Sequence, residues 1–244
     1  MTTMKVTKGI GSGLRLARTG VKRLFGAPAT VDERVKDGFE RAQGAAGRVW
    51  PHLIGTGDRA IESVLFVAPD RECGHEVVAA ATAATLARHL REPIGLVELD
   101  FEHPVLADVL GVEARAGVSE YLRGQCDVES AVVRSAEHPN LTVLTGGSAS
   151  PLEPGALSAS ALERLRLEME KSCRTTIYVA PPLERCSDMR LLAGRVDGVV
   201  VALRAGATTK EQVAATLEVL EDARARLIGS VLTGYDYDLP GAAA

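Results

Sequence analysis

From residue 62 onward the chain alternates short apolar runs with longer mixed segments. Runs rich in β-branched and aliphatic residues at 62–67 (ESVLFV), 94–99, 141–144, 175–179, 198–203 (GVVVAL) and 228–233 predict six strands. Helices are predicted at 76–90, 105–110, 118–122, 128–134, 156–172, 188–193 and 209–226, with Pro93 stopping the first. The strand runs are continuously apolar rather than alternating, so both faces of the sheet must be covered. Strand-helix alternation of this kind predicts an α/β fold, a doubly wound and mostly parallel sheet with helices on both faces. The pattern divides the chain into an arm at 1–31, a helical lead-in at 32–61, one domain at 62–233 and a short tail at 234–244. There is no internal repeat.

The arm has its own pattern. Ile10, Leu14, Ala17, Val21 and Leu24 recur at helical spacing and share one face. Its basic residues are Lys5, Lys8, Arg15, Arg18, Lys22 and Arg23, and it has no acidic residue. The arm's net charge is therefore +6, against −4 for the whole chain and −10 for the remainder. A basic amphipathic helix can lie on an anionic membrane surface or dock on a partner. The competing reading is a solvated tail, which Gly9, Gly11, Gly13 and Gly20 favour.

Composition narrows the function classes. The chain has 244 residues, 46% hydrophobic and 25% charged, ordinary values for a globular protein. An acidic body argues against nucleic acid as a partner. Aromatic residues make up only 4%, which leaves few platforms for stacking bases. Cys73, Cys126, Cys173 and Cys186 form no CxxC pair, and they read as reduced thiols of a cytoplasmic protein rather than a zinc site. No apolar run approaches the roughly 20 residues that span a bilayer.

In an open parallel sheet, ligands bind at the carboxyl ends of the strands. After the first strand of the domain comes Ala68-Pro69-Asp70-Arg71-Glu72-Cys73-Gly74-His75-Glu76-Val77. Strand, short loop and helix are the context of a phosphate-binding loop. Such a loop uses glycines so that N–H groups converge on the anion, a Lys for the outer phosphates, and a Ser or Thr for Mg²⁺. Here only Gly74 matches; His75 stands at the Lys position, Glu76 at the hydroxyl position, and Val77 follows. The second strand ends in Glu98-Leu99-Asp100-Phe101-Glu102-His103-Pro104. Its carboxylates can hold a metal or simply start a helix. The fourth strand ends at Val179, where a Mg²⁺ site needs an Asp. Arg71 can stand in for the missing Lys from the loop side. Asp188 can touch a ligand or cap the following helix. His75 with Glu72 and Glu76 can be read as a metal site, but a surface charge cluster is the simpler reading. No metal site is expected.

These segments carry a resemblance. Residues 63–233 resemble the cytoplasmic domain of the bacterial tyrosine kinases (BY-kinases) of capsule and exopolysaccharide synthesis, within the wider MinD/ParA group of P-loop ATPases. The family's D-x-D-L-R-R-P is matched by 98–104 with one Asp and the Pro kept. Its G-L-S-D-x-L-x-G is matched by Gly117-Val118-Ser119-Glu120-Tyr121-Leu122-Arg123-Gly124. Its L-x-V-L-P-x-G is matched at 141–147, followed by Pro151 and Pro154, and its I-I-D-T-P-P becomes Ile177-Tyr178-Val179-Ala180-Pro181-Pro182. Its V-D-G-V and V-R-x-G-x-T are kept between Val196 and Thr208, and the position of its base-contacting Asn is Thr233. Scaffold signatures persist while the phosphate Lys, the metal hydroxyl, the Walker-B Asp and the base-contacting Asn are absent.

The resemblance implies a P-loop NTPase-like fold and a tyrosine-kinase-like protein with a degenerate nucleotide site. No cofactor is expected, and Mg-ATP only if a divergent site is active. The expected role is a regulatory or scaffold partner in exopolysaccharide or capsule synthesis and export. The implied partner is an inner-membrane polysaccharide co-polymerase, with this chain cytoplasmic and peripheral at the inner face of the membrane. Two alternatives stand beside it: a divergent ATPase or tyrosine kinase using His75 or Arg71 for phosphate and Glu98 or Asp100 for metal, and a MinD/ParA-like positioning protein. Tyr235 and Tyr237 are reduced counterparts of the family's C-terminal tyrosine cluster and candidate phospho-acceptors. Asp37-Gly38-Phe39-Glu40-Arg41 keeps little of the family's E-A-Y-R oligomer motif, which leaves an oligomer open.

Overall fold

The computed structural model describes residues 3–5, 39, 42, 61–113, 115–148, 158–183 and 189–234. The strands are β1 (Thr3–Lys5), β2 (Ser63–Val67), β3 (Ile94–Glu98), β4 (Val133–Arg134), β5 (Leu141–Leu144), β6 (Thr175–Val179), β7 (Gly198–Arg204) and β8 (Leu227–Thr233). The helices are α1 (His75–His89), α2 (Leu106–Leu110), α3 (Val118–Leu122), α4 (Val128–Ala131), α5 (Ala159–Ser172), α6 (Met189–Ala193) and α7 (Lys210–Asp222). One eight-stranded sheet runs β1-β8-β7-β2-β6-β3-β5-β4. Every neighbouring pair is parallel except β4 with β5. The predicted fold class holds.

Burial explains the continuous apolar runs. Every residue of β2, β3 and β6 is buried. Phe66, Leu96 and Ile177 face the core with α1, while Leu65, Val97 and Tyr178 face the core with α5. Each aliphatic or Phe side chain among them contributes about 1.5–3 kcal/mol when fully buried. α1 is rich in alanine, and Ala79, Ala80, Ala81, Ala83 and Ala84 are all inaccessible. Small side chains let that helix lie close against the sheet. α5 instead buries a stripe, Ala161, Leu162, Leu165 and Met169, and is capped by the Ser158 hydroxyl.

At the amino ends of the strands, Asp197 fixes the register of β2 and β7. Its Oδ2 accepts from the N–H groups of Glu62 and Ser63, both at 3.0 Å, and from the Ser63 hydroxyl at 2.8 Å.

Three features differ from the sequence reading. The segment predicted as one helix at 128–134 is a four-residue helix followed by the edge strand β4. Val133 pairs with Val143, which ends the helix after one turn. Thr3–Lys5, read as part of a basic arm, forms β1 and pairs in parallel with Ser230–Leu232 of β8. α7 ends at Asp222 rather than at 226, because Arg224 takes φ 53 and turns the chain into β8. Of the lead-in, Phe39 and Ala42 are helical; Ala42 is buried in the core and Phe39 packs against it.

Candidate functional site

The chain reverses its direction across the sheet around β2, with β6 and β3 to one side and β7 to the other. The loop after β2 therefore lies at the topological switch point. It is a tight structure. Asp70 caps a 3-10 turn over Arg71–Cys73 by accepting from the Glu72 N–H at 2.7 Å. Gly74 follows in the left-handed region at φ 64, ψ 34, and α1 starts immediately after it. A side chain at Gly74 would be strained in that conformation, so glycine suits this position.

Each loop side chain has a partner elsewhere in the protein. Arg71 grips Asp100 with both guanidinium nitrogens, at 2.5 and 3.4 Å. Glu72 accepts from Arg204, at the end of β7, at 2.8 Å. The Thr233 hydroxyl donates to the Cys73 carbonyl at 2.8 Å. Gln212 of α7 donates to Asp70 at 3.2 Å. The Cys73 thiol is buried 3.5 Å from the Thr208 hydroxyl, and burial pushes its pKa up to about 11. It is a packing thiol rather than a nucleophile.

His75 is fully buried. Its Nε2 lies 2.7 Å from the Ala180 carbonyl oxygen, so Nε2 carries the proton and donates. Nδ1 is 3.3 Å from the Glu76 carboxylate without hydrogen-bond geometry. The imidazole thus joins α1 to the loop after β6. Val77 and Val179 are buried and apolar.

Glu98 is also inaccessible. It accepts from Val105 N–H at 2.5 Å, Leu106 N–H at 3.0 Å and Gly146 N–H at 2.9 Å. Burial pushes its pKa up to about 8, against those three donors, with Asp100 adding to the rise. Beside it, Glu120 organises the next loop. It accepts from the Gly117 N–H at 2.8 Å, the Ser119 hydroxyl at 3.0 Å, and both the N–H and hydroxyl of Ser148. Partial burial pushes Glu120 up, but the Ser148 and Ser119 hydroxyls outweigh it and hold the carboxyl below its usual range.

Of the positions singled out in the sequence, Arg71, Gly74, His75, Glu76, Val77, Glu98, Asp100, Val179 and Thr233 gather at the carboxyl ends of the strands. Glu72 turns toward Arg204 and does not join His75. Asp188, Cys186, Tyr235, Tyr237, Lys8, Arg15, Arg18, Lys22 and Arg23 lie outside the described residues, and of Lys5 only the strand is described. Among the described residues Cys73, Cys126 and Cys173 are free thiols. Sequence reading missed Asp70, Arg204, Thr208 and Gln212. The Thr209-x-x-Gln212 spacing is a capping-box signal that could have drawn attention to Gln212, but its reach back to Asp70 is a tertiary contact. A separate polar cavity of about 500 Å³ lies at the opposite, amino end of the sheet between Glu62, Arg166, Arg174 and Arg195. Its cations already pair with carboxylates, Arg174 with Glu62 at 2.5 Å and Arg166 with Glu163 at 2.7 Å.

No protein-family model matches the chain. In sequence it is 28% identical over 177 residues to the tyrosine-protein kinase YwqD of Bacillus subtilis, covering 72% of this chain and 74% of that one. In fold it is similar to the chimerical protein CapA2B2, with TM-score 0.75 and 18% identity, over 97% of this chain and 96% of that one. It is also similar to the VpsO kinase domain, with TM-score 0.73 and 23% identity, over 85% and 100% of the two chains. The MinD cell division protein of Aquifex aeolicus is a more distant match, with TM-score 0.54 and 14% identity, over 70% and 68%. The molecule has an α/β fold of the P-loop NTPase-like type. Its resemblance to the bacterial tyrosine kinases holds in both sequence and fold.

Proposed function

We propose that this chain is a tyrosine-kinase-like protein that acts by binding rather than by phosphoryl transfer. It serves as a regulatory or scaffold partner in exopolysaccharide or capsule synthesis and export. One observation carries the reading. The residue at the phosphate-lysine position, His75, is buried and spends its Nε2 proton on the Ala180 carbonyl. A phosphate-binding group has to point outward with a positive charge to spare.

The remaining donor set supports the same conclusion. Mg²⁺ with nucleotide asks for a hydroxyl after the lysine and a free carboxylate near it. Here Glu76 would set a carboxylate beside the phosphates, Val179 offers no ligand atom, and the Asp100 carboxylate is gripped by Arg71. Glu98 is taken up by three N–H groups. These residues do not fit Mg-ATP, so no catalytic step is assigned to them.

The partner that the family resemblance suggests is an inner-membrane polysaccharide co-polymerase, bound from the cytoplasmic side. Among the described residues no helix is long and apolar enough to cross a membrane. In this reading attachment runs through that partner, with the basic arm adding attraction to anionic lipid. Calorimetric titration with ATP and ADP, with and without Mg²⁺, tests the reading. No binding is expected at millimolar nucleotide, and Mg²⁺-dependent micromolar affinity would overturn it.

A further inference from the structure

We infer that the turn at 71–73 is held shut by the protein's own side chains, with Arg71 a built-in cation on Asp100. The surface at the carboxyl ends of the strands therefore keeps one state whatever nucleotide is present. The use of such a fixed surface rests on the binding-protein reading above; its geometry does not.

Asp100 is almost inaccessible, its side chain 3% exposed, with Glu98 two residues before it. A buried carboxylate needs a partner or it becomes costly. Arg71 supplies a two-point contact and the His103 N–H donates at 3.1 Å. Arg71 is itself 21% exposed and sits on the outside of this pair, closing it from solvent. Three more ties fix the same turn: Arg204 on Glu72, Thr233 on the Cys73 carbonyl, and Gln212 on Asp70. They come from the ends of β7 and β8 and from α7, all more than 130 positions away in the chain.

A loop that wraps a ligand draws its order from that ligand, and its state follows ligand concentration. This turn draws its order from groups that are always present. A ligand shifts an equilibrium only by its differential affinity for two states. A turn already closed by its own chain offers little to shift. The surface rimmed by the turn, by His103 and by the Gly146–Ser148 loop is then constant.

Hydrogen exchange of the full chain, followed in the segment 69–76, tests this. The wild type should exchange slowly there, at the same rate with and without Mg-ATP. Arg71→Ala and Asp100→Asn should exchange about tenfold faster or more in that segment, with β6 and β7 unchanged. Arg71→Lys keeps the charge but not the two-point grip, and should fall between. Wild-type exchange in both Arg71→Ala and Asp100→Asn would overturn the inference. If those two lose protection throughout, Arg71→Lys decides: a rise confined to 69–76 supports the latch, and wild-type behaviour overturns it. Wild-type protection that grows on adding Mg-ATP would also overturn it. Calorimetric Mg-ATP binding with unchanged exchange in 69–76 would leave the latch standing and sink the proposed function instead.

Discussion

Glu98 shows how one buried side chain can tie three segments of the chain together. In the sequence it is a candidate metal ligand. In the fold its carboxyl ties β3 to the start of α2 and to the loop after β5. Burial raises its pKa from 4.5 to about 8. Between those values the folded chain keeps a proton that the unfolded chain has released, so this group's contribution to stability falls as pH rises across that window. Below it both states are protonated; above it both are ionised, and the penalty is constant. Urea midpoints of the wild type should therefore decline from about pH 5 to pH 8 more steeply than those of Glu98→Gln. The variant should start lower, since its amide nitrogen would meet one of the three N–H donors. Parallel profiles would show that Glu98 does not titrate in this range. His75 carries a related lesson. Its imidazole is buried and hydrogen-bonded to the Ala180 carbonyl, so truncating it is expected to lower stability.

The elements are built mostly from local rules, with decisive exceptions at their ends. α3 starts at Gly117, whose N–H is taken by Glu120 three residues on. A Cβ at Gly117 would sit 2.3 Å from the Thr145 carbonyl oxygen and 2.4 Å from the Gly147 nitrogen. Both are backbone atoms and cannot swing away. Gly117→Ala should thus cost about 1–3 kcal/mol, the usual range for an overpacked site. Thermal or urea unfolding would check it, and a variant as stable as wild type would mean that the two loops are not held together here. The pattern G-V-S-E-Y-L-R-G marks the helix start in the sequence, but the close approach of the Thr145–Gly147 loop is visible only in the fold. The same holds for β4, whose two residues are strand only because β5 lies beside them.

At the scale of the whole molecule, charge is divided between a basic arm and an acidic body. The structure changes how the arm is to be tested. Thr3–Lys5 pairs with β8, so deleting the N-terminal 25 residues would strip an edge strand as well as the charge. Replacing Arg15, Arg18, Lys22 and Arg23 with Glu leaves β1 in place. That variant should bind vesicles of anionic lipid at least about tenfold more weakly, since each basic residue near such a surface is worth about 1 kcal/mol. Its far-ultraviolet circular dichroism should match the wild type. An unchanged vesicle-bound fraction would remove the arm from the membrane argument.

The sequence by itself determined the layered architecture. Runs such as SVLFV at 63–67 and GVVVAL at 198–203 are too apolar to face water on either side, and that alone demands a covered parallel sheet. It also pointed to the carboxyl ends of the strands as the candidate site, because ligand sites follow the carboxyl ends of such strands. Residue type alone also tells that a position such as Val179 offers no ligand atom. Only the tertiary structure decided what the polar residues of this region contact. Arg71 and Asp100 are 29 positions apart, Glu72 and Arg204 132, and Cys73 and Thr233 160. No periodicity links such pairs. Their contacts exist because strand order brings the ends of β2, β3, β7 and β8 together, and because burial forces each polar group there to find a partner.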